Sequence, residues 1–392
     1  MAGFIVVRRL PVADFAVYTL GTALQGSLSV MSDVGVSSLL VAKGGETYAD
    51  SRRLSALVAA ARAQRRRLLV PMLAIATPLL WFSLRNTIAS GWLGLGVYLL
   101  VALTAVFQVT ASVDGTALLV LLKPLRAQAA HLASAVSRVA GFGVLLGFAP
   151  FWGVALGVNA LGAGVQALQA RRSVRAFIDH AAEPLDKDRQ AFRRIVRTQV
   201  INAAYYALSA HLTVWIVGLS GAATVVAQIG ALGRLSSVFV FGHSAVASFV
   251  VPRLARIQDR ALLLRRYLQV ASLTVLASAL ILAWGIAAPG SLIWLLGPSY
   301  AGLGHLLPIA LAGAVTYVLS ATILSLNTAK AWIEHAWLAV PITIVLQIVG
   351  VLTLDVSSLR GALLFGWLSV APPLFVNTGI AVLRFRRDQA TP

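Results

Sequence analysis

Eleven long apolar segments run along the chain, covering approximately residues 12–42, 68–84, 91–112, 128–148, 150–170, 198–219, 222–250, 267–288, 305–327, 335–354 and 361–383. Polar residues gather in the connectors between them. A hydrocarbon core about 30 Å thick takes roughly 20 apolar residues per helical crossing, and the segments are of that order. They lack the two-residue alternation of lipid-facing β-strands, so each is predicted to be helix, which satisfies its backbone groups within the segment. Internal Gly and Ser suit close packing of membrane helices, while Pro71, Pro78, Pro252, Pro372 and Pro373 mark ends or kinks. The pattern predicts an all-α, polytopic membrane helix bundle with about eleven spans.

Composition agrees. Of 392 residues 59% are hydrophobic and 11% charged, with a mean hydropathy of +0.85, whereas soluble domains carry about a quarter charged residues. The spans use up the length, leaving no room for a large extramembrane domain. A net charge of +19 would suggest nucleic acid in a soluble protein, but here the cations lie between apolar segments and report topology. Connectors 43–67, 113–127, 171–197, 251–266 and 328–334, with the tail 384–392, hold 26 of the 32 Lys and Arg; the alternate side holds Arg8, Arg9, Arg85 and Arg360. The positive-inside rule places the basic loops and the C-terminus in the cytoplasm of a multi-pass cell-membrane protein. Without cysteine there is no disulfide framework, thiolate metal site or thiol nucleophile. Met1–Leu10 is too short for a signal peptide or a crossing, so a first helix is expected to be either missing or incomplete.

The longest basic connector, 171–197, contains the polar run Glu183–Asp188 and reads as a cytoplasmic linker between an N-terminal bundle, 1–170, and a C-terminal bundle, 198–392. Residues 15–42 can be laid over 224–251 with Gly21 opposite Gly230, a faint internal repeat of the kind that places a substrate path between two halves. In the connector before residue 68, Arg52, Arg53, Arg62, Arg65, Arg66 and Arg67 surround Leu54, Leu57, Val58 and Ala61. This is either a surface helix suited to anionic headgroups or a solvated linker obeying the topology rule.

Polar stripes at helical spacing mark faces turned toward a cavity or a neighbouring helix. They comprise Thr22, Gly26, Ser29, Asp33 and Ser37; Thr104, Gln108 and Ala111; His131, Ser134 and Arg138; Asn202, Tyr206, Ser209 and Thr213; and Gly230, Arg234 and Ser237. Small-residue stripes also mediate helix contact, but charge is harder to dismiss. An Arg at mid-depth costs at least about 2.5–3.5 kcal/mol on insertion scales unless it is paired or hydrated. Arg138 and Arg234 are the two cations inside predicted spans, and Asp33 is the natural counter-charge. The candidate substrate-binding residues are therefore Arg234, Arg138, Asp33, His131, Asn202, Tyr206 and Gln108.

No phosphate-binding loop, HExxH motif or nucleotide-binding domain is encoded. The exterior connectors are short and nearly free of carboxylates, which argues against catalysis. No metal or cofactor is called for, and nucleic acid is not a partner. A cavity rich in Arg, Tyr, Ser and Asn fits transport of an anionic polar headgroup.

The run Arg9-Leu10-Pro11-Val12-Ala13-Asp14-Phe15-Ala16-Val17-Tyr18, the run Ser32-Asp33-Val34-Gly35-Val36-Ser37-Ser38, and Leu296-Gly297-Pro298-Ser299-Tyr300-Ala301-Gly302-Leu303 resemble the polysaccharide biosynthesis flippases. These are Wzx-like members of the MOP superfamily, which also holds the multidrug extruders and the lipid II flippase. The resemblance implies two six-helix bundles around a central cavity. It also implies movement of a polyprenyl-pyrophosphate-linked oligosaccharide from the cytoplasmic to the outer leaflet by alternating access. Partners in such a pathway are the bilayer, the lipid-linked oligosaccharide, and glycosyltransferases or a polymerase. Two alternatives stand beside this reading: a small-molecule or drug exporter of the same architecture, which needs carboxylates in the cavity, and an inactive assembly partner of a polysaccharide biosynthesis complex.

Overall fold

The structure, a computed structural model, describes residues 2–47, 50–85, 91–179, 181–209, 211–220, 223–246, 250, 253–254, 257, 259–330, 332 and 335–387; the side chains of 91, 201, 202, 206, 238–245 and 387 lie outside the description. Every regular element among the described residues is helical. The helices are α1 (Ala2–Arg9), α2 (Val12–Asp33), α3 (Val36–Thr47), α4 (Ser51–Leu84), α5 (Gly91–Val120), α6 (Pro124–Phe148), α7 (Trp152–Val174), α8 (Asp186–Ser209), α9 (Leu212–Leu219), α10 (Ala223–Ala245), α11 (Arg260–Ala287), α12 (Pro289–Leu296), α13 (Leu307–Ala329), α14 (Ala339–Thr353) and α15 (Leu359–Arg387). Short 3₁₀ helices, Pro298–Leu306 and Ala336–Leu338, precede α13 and α14.

Seven helices among the described residues are long and apolar enough to cross a membrane, and eight if the bent pair α2 and α3 counts as one span. The segment expected at 150–170 is one continuous helix, α7, left out of that count by its polar residues, whereas the segment expected at 198–219 is divided between the end of α8 and α9. Helix α7 carries Asn159, Gln166, Gln169, Arg171 and Arg172, and α8 opens on Asp186, Lys187, Asp188 and Arg189. Pro71 and Pro78 lie inside α4, and Pro372 and Pro373 inside α15, without ending either helix; Pro252 lies outside the described residues.

The chain divides by its internal contacts into Met1–Ala227 and Gln228–Pro392, so α8 and α9 group with the helices before them, although residues 198–219 were expected in the C-terminal bundle. In the first unit α2 is the central post, packed on α4, α5, α7, α8 and α9, with Phe15 to Gly21 buried without interruption. Close approach depends on small residues. A Cβ at Gly218 of α9 would lie 2.8 Å from Leu20 Cδ2 of α2 and 3.4 Å from Ser83 Cβ of α4. Polar pins fix the post: Asp14 Oδ1 accepts from Trp152 N at the start of α7 (3.2 Å), Asn159 Nδ2 donates to the Tyr18 hydroxyl (3.2 Å), and the Ser27 hydroxyl donates to Ala207 O of α8 (2.9 Å).

Two features of this unit depart from the sequence expectation. The first apolar segment is not one straight span: it bends by 41° between α2 and α3, where Val34 and Gly35 adopt φ values of 31° and 76°. Gly35 takes this left-handed region at no steric cost, whereas a β-branched residue there is uncommon. The basic connector before residue 68 is neither a surface helix nor a solvated linker. It is the first half of α4, capped by Asp50, whose carboxylate accepts from the amides of Arg52 and Arg53 (both 3.0 Å). Leu54, Leu57, Val58 and Ala61 are fully buried there.

In the second unit α15 packs on α13 and α14, and α13 on α11. Where α11 begins and α13 and α15 end, Leu254, Leu263, Tyr267, Leu326 and Ala381 form a core backed by Trp332 and Phe385. The Tyr267 hydroxyl donates to Asn327 Oδ1 (2.9 Å) and Asn327 Nδ2 to Asn377 O (2.8 Å), so Tyr267 and Asn327 are satisfied within this core, whereas the buried Asn377 Oδ1 has no hydrogen-bond partner among the described residues.

Asp188, fully buried at the start of α8, is held by both terminal nitrogens of Arg53, with Nη2 to Oδ1 at 2.7 Å, and by Lys43 Nζ at 3.9 Å. Removing one member of such a pair leaves an uncompensated charge, at a cost of about 3 kcal/mol. Asp188→Ala and Arg53→Ala are each expected to lower the thermal unfolding midpoint of the detergent-purified protein, and the double change to cost less than their sum. Asp186→Ala, which breaks the exposed pair with Arg189, should leave the midpoint nearly unchanged.

Candidate functional site

The polar cavity of the first unit lies at the bend. It has a volume of about 500 Å³ and is walled by Ser29, Asp33 and Ser37 from the α2–α3 segment, Arg65 from α4, Ser112 from α5 and Gln199 from α8. Its electrostatic centre is Arg65, whose side chain is 4% exposed. Arg65 Nη2 lies 3.1 Å from Asp33 Oδ1, Nε donates to Ser32 O at 3.1 Å, and Nη1 donates to the Ser112 hydroxyl. The same Asp33 oxygen accepts the amide of Ser37 across the bend at 2.9 Å. One carboxylate thus caps the start of α3 and neutralises the Arg below it, so the bend and the ion pair support each other. Asp33 itself is 38% exposed and faces the opening. Hydroxyls, an amide and a neutralised guanidinium can hydrogen-bond sugar hydroxyls or phosphate oxygens, but the pair presents no net charge.

Arg65 is one rung of a ladder along α4. Arg62 Nη2 lies 2.7 Å from Asp114 Oδ1 of α5, and Arg53 and Lys43 hold Asp188 of α8. Asp114 and Asp188 have fully buried side chains, and Asp114 Oδ2 has no hydrogen-bond partner among the described residues. Sequence reasoning missed Arg53, Arg62, Arg65, Asp114 and Asp188 because it placed them in connectors. The signal was present: Leu54, Leu57, Val58, Ala61, Arg65, Leu69, Met72, Ala76 and Leu80 are buried at unbroken helical spacing, so the core-facing stripe runs straight through the basic stretch.

Of the candidates named from sequence, Asp33 lines the cavity, and with it Ser29 and Ser37 of its stripe. Thr22 instead donates to Thr19 O (3.0 Å), and Gly26 packs against the His211 ring. Arg138 lies apart from the cavity, half-buried between α6 and α7. Its Nε and Nη2 donate to the Ser134 hydroxyl at 3.2 and 2.8 Å, and its stem rests on Gly162, where a Cβ would lie 2.7 Å from Nε. His131, exposed on α6, pairs with Gln166 of α7 (Nδ1 to Nε2, 3.1 Å). Gln108 is half-buried on α5, and its Oε1 has no hydrogen-bond partner among the described residues. Arg234 is half-buried near the middle of α10. The side chains of Asn202 and Tyr206 lie outside the described residues, though their neighbours Gln199 and Ala203 line the cavity. No cluster of His, Asp or Glu suited to a metal ion occurs among the described residues.

No protein-family model matches the chain, and no curated protein matches it significantly. Solved structures do. An inward-facing multidrug resistance MATE family transporter of the MOP superfamily superposes with a TM-score of 0.71 at 14% identity, over 100% of this chain and 94% of that one. The lipid II flippase MurJ, in an inward closed conformation, gives 0.71 at 11% identity over 100% and 90%. A MOP superfamily transporter from Pyrococcus furiosus, described as having a binding pocket of reversed polarity, gives 0.57 at 14% identity over 98% and 90%. The chain has the fold of MOP superfamily transporters.

The natural absence of cysteine makes single-cysteine labelling clean. Ser29→Cys, at the cavity wall, is expected to react with a charged, membrane-impermeant thiol reagent, whereas Leu280→Cys, on a lipid-length stretch of α11, is not. Equal protection of both positions would show that water does not enter the cavity.

Proposed function

We propose that the protein is a membrane transporter that moves a polyprenyl-pyrophosphate-linked oligosaccharide from the cytoplasmic to the outer leaflet during polysaccharide biosynthesis, by alternating access. Charge matching in the first unit carries the reading. Asp33, Asp114 and Asp188 each meet a cation of α4, so their negative charge is already cancelled. Arg138 has no carboxylate partner among the described residues and is met only by a neutral hydroxyl. A guanidinium at that depth keeps donors free for phosphate oxygens, which it binds in a planar fork. A lipid II flippase among the similar structures supports a lipid-linked cargo, and the basic connectors support a cytoplasmic placement of the side that holds most of the Lys and Arg.

In this reading Arg138 contacts the pyrophosphate, and Arg234, in the second unit, is a separate proposed contact to the cargo. Asp33, His131, Asn202, Tyr206 and Gln108 contact sugar hydroxyls, and the polyprenyl tail stays in the bilayer. The same fold in a multidrug resistance transporter keeps an organic-cation exporter as the competing reading. That reading needs a carboxylate whose charge is not spent; Arg62 meets Asp114 through Oδ1, while Asp114 Oδ2 has no hydrogen-bond partner among the described residues.

Translocation of a fluorescent polyprenyl-pyrophosphate oligosaccharide in reconstituted vesicles tests the proposal. Wild type is expected to expose the label to the opposite leaflet. Arg138→Gln should slow this at least about tenfold, the worth of one charge-assisted hydrogen bond, and Arg138→Lys should retain part of it. Wild-type rates in Arg138→Gln would remove this residue from the site.

A further inference from the structure

The second unit carries a groove that cargo recognition does not use. It lies where α11 begins and α15 ends, has a volume of about 320 Å³, and is walled by Leu264, Leu268 and Ala271 of α11, Ile323 of α13, and Val382 and Phe385 of α15, with Arg386 at its end. Its depth in the membrane can be read from the two helices that flank it. The charge-free stretch of α11 starts at Tyr267, directly after Arg265 and Arg266, and that of α15 stops at Leu383, directly before Arg384 and Arg386. The Arg260 guanidinium donates to Phe385 O at 2.6 Å, which fixes the two ends side by side. The groove therefore straddles the level at which hydrocarbon gives way to headgroups, apolar on one side of that level and cationic on the other.

The charge at this end is one-sided. Arg253, Arg265, Arg266 and Arg386 are exposed, and Asp259, the one described carboxylate nearby, is spent capping the first turn of α11 through the Ala261 amide at 2.9 Å; Glu334 and Asp388 lie outside the described residues. The walls are held rigid by the ring contacts of Phe385 with Trp332 and Tyr267, at centroid separations of 4.9 and 5.3 Å, so the groove is formed in advance of any occupant.

We infer that this groove binds an anionic phospholipid, one acyl chain lying along Leu268, Ala271 and Val382 and the phosphate meeting Arg386, the cation that lines it. The two-level profile matches a phospholipid, apolar below and anionic above, and each Lys or Arg near a membrane surface favours an anionic headgroup by a roughly fivefold gain in binding. The site is independent of the cargo and stands whether the chain transports a lipid-linked sugar or an organic cation.

Native mass spectrometry of the full chain released from detergent, with dioleoyl-phosphatidylglycerol and dioleoyl-phosphatidylcholine supplied at equal concentration, tests it. Wild type is expected to retain phosphatidylglycerol selectively. Arg386→Gln should lose retention about fivefold, while Arg386→Lys keeps it. Ala271→Phe, which fills the apolar part and leaves every charge in place, should lose it as well, so misfolding of one variant leaves the other decisive. Equal retention of the two lipids by wild type, or wild-type retention of phosphatidylglycerol by both Arg386→Gln and Ala271→Phe, would overturn the site. A dimer abolished by Ala271→Phe, without lipid selectivity, would overturn it in favour of a second copy of the chain.

Discussion

A charge buried inside a protein must be met there, and in the first unit that requirement falls on one helix. Helix α4 presents Arg53, Arg62 and Arg65 to carboxylates supplied by three neighbours: Asp188 of α8, Asp114 of α5 and Asp33 of α2. Each pair joins α4 to a different element, so the ladder specifies which helices surround it and in what register, something apolar packing between lipid-compatible surfaces does poorly. Breaking any rung leaves a buried ion unmatched, a penalty far larger than the net worth of the intact pair. The bend between α2 and α3 belongs to the same system, because Asp33 serves the Arg65 pair and the Ser37 amide at once.

The ladder also shapes chemistry. With Asp33, Asp114 and Asp188 each matched by α4, Arg138 meets a serine hydroxyl and no carboxylate among the described residues, and the proposed function rests on that difference. The polar cavity beside Arg65 is lined by hydroxyls and an amide around an ion pair that is already balanced, a surface fitted to uncharged hydroxyl groups. The proposed cargo, with an anionic end and a sugar end, would use both kinds of partner, while its lipid tail would need none.

Fold class was legible in the chain because periodicity and length decide it: segments of some twenty apolar residues admit helix and little else in lipid. The bend at Val34–Gly35 was less legible, since Gly is common in straight membrane helices and only its pairing with a left-handed Val34 gives it away. Asp33 was found because it lies in an apolar stretch. Its partner was missed because Arg65 stands in a run of six arginines in which charge density hid the buried face of Leu54, Leu57, Val58 and Ala61. Sequence patterns weigh charges by number, whereas the folded chain weighs them by partner, and partners more than a hundred residues apart, such as Arg53 and Asp188, leave no local trace.

What the interior offers a cargo is tested most directly by supplying cargoes of opposite charge to the same vesicles. In proteoliposomes holding the wild-type chain, a pyrophosphate-bearing polyprenyl lipid should change leaflets while the organic cation ethidium enters no faster than in protein-free vesicles. Protein-dependent ethidium uptake with no movement of the pyrophosphate lipid would contradict the assignment of a cationic interior and return the deep carboxylates, Asp114 first, to the centre of the transport site.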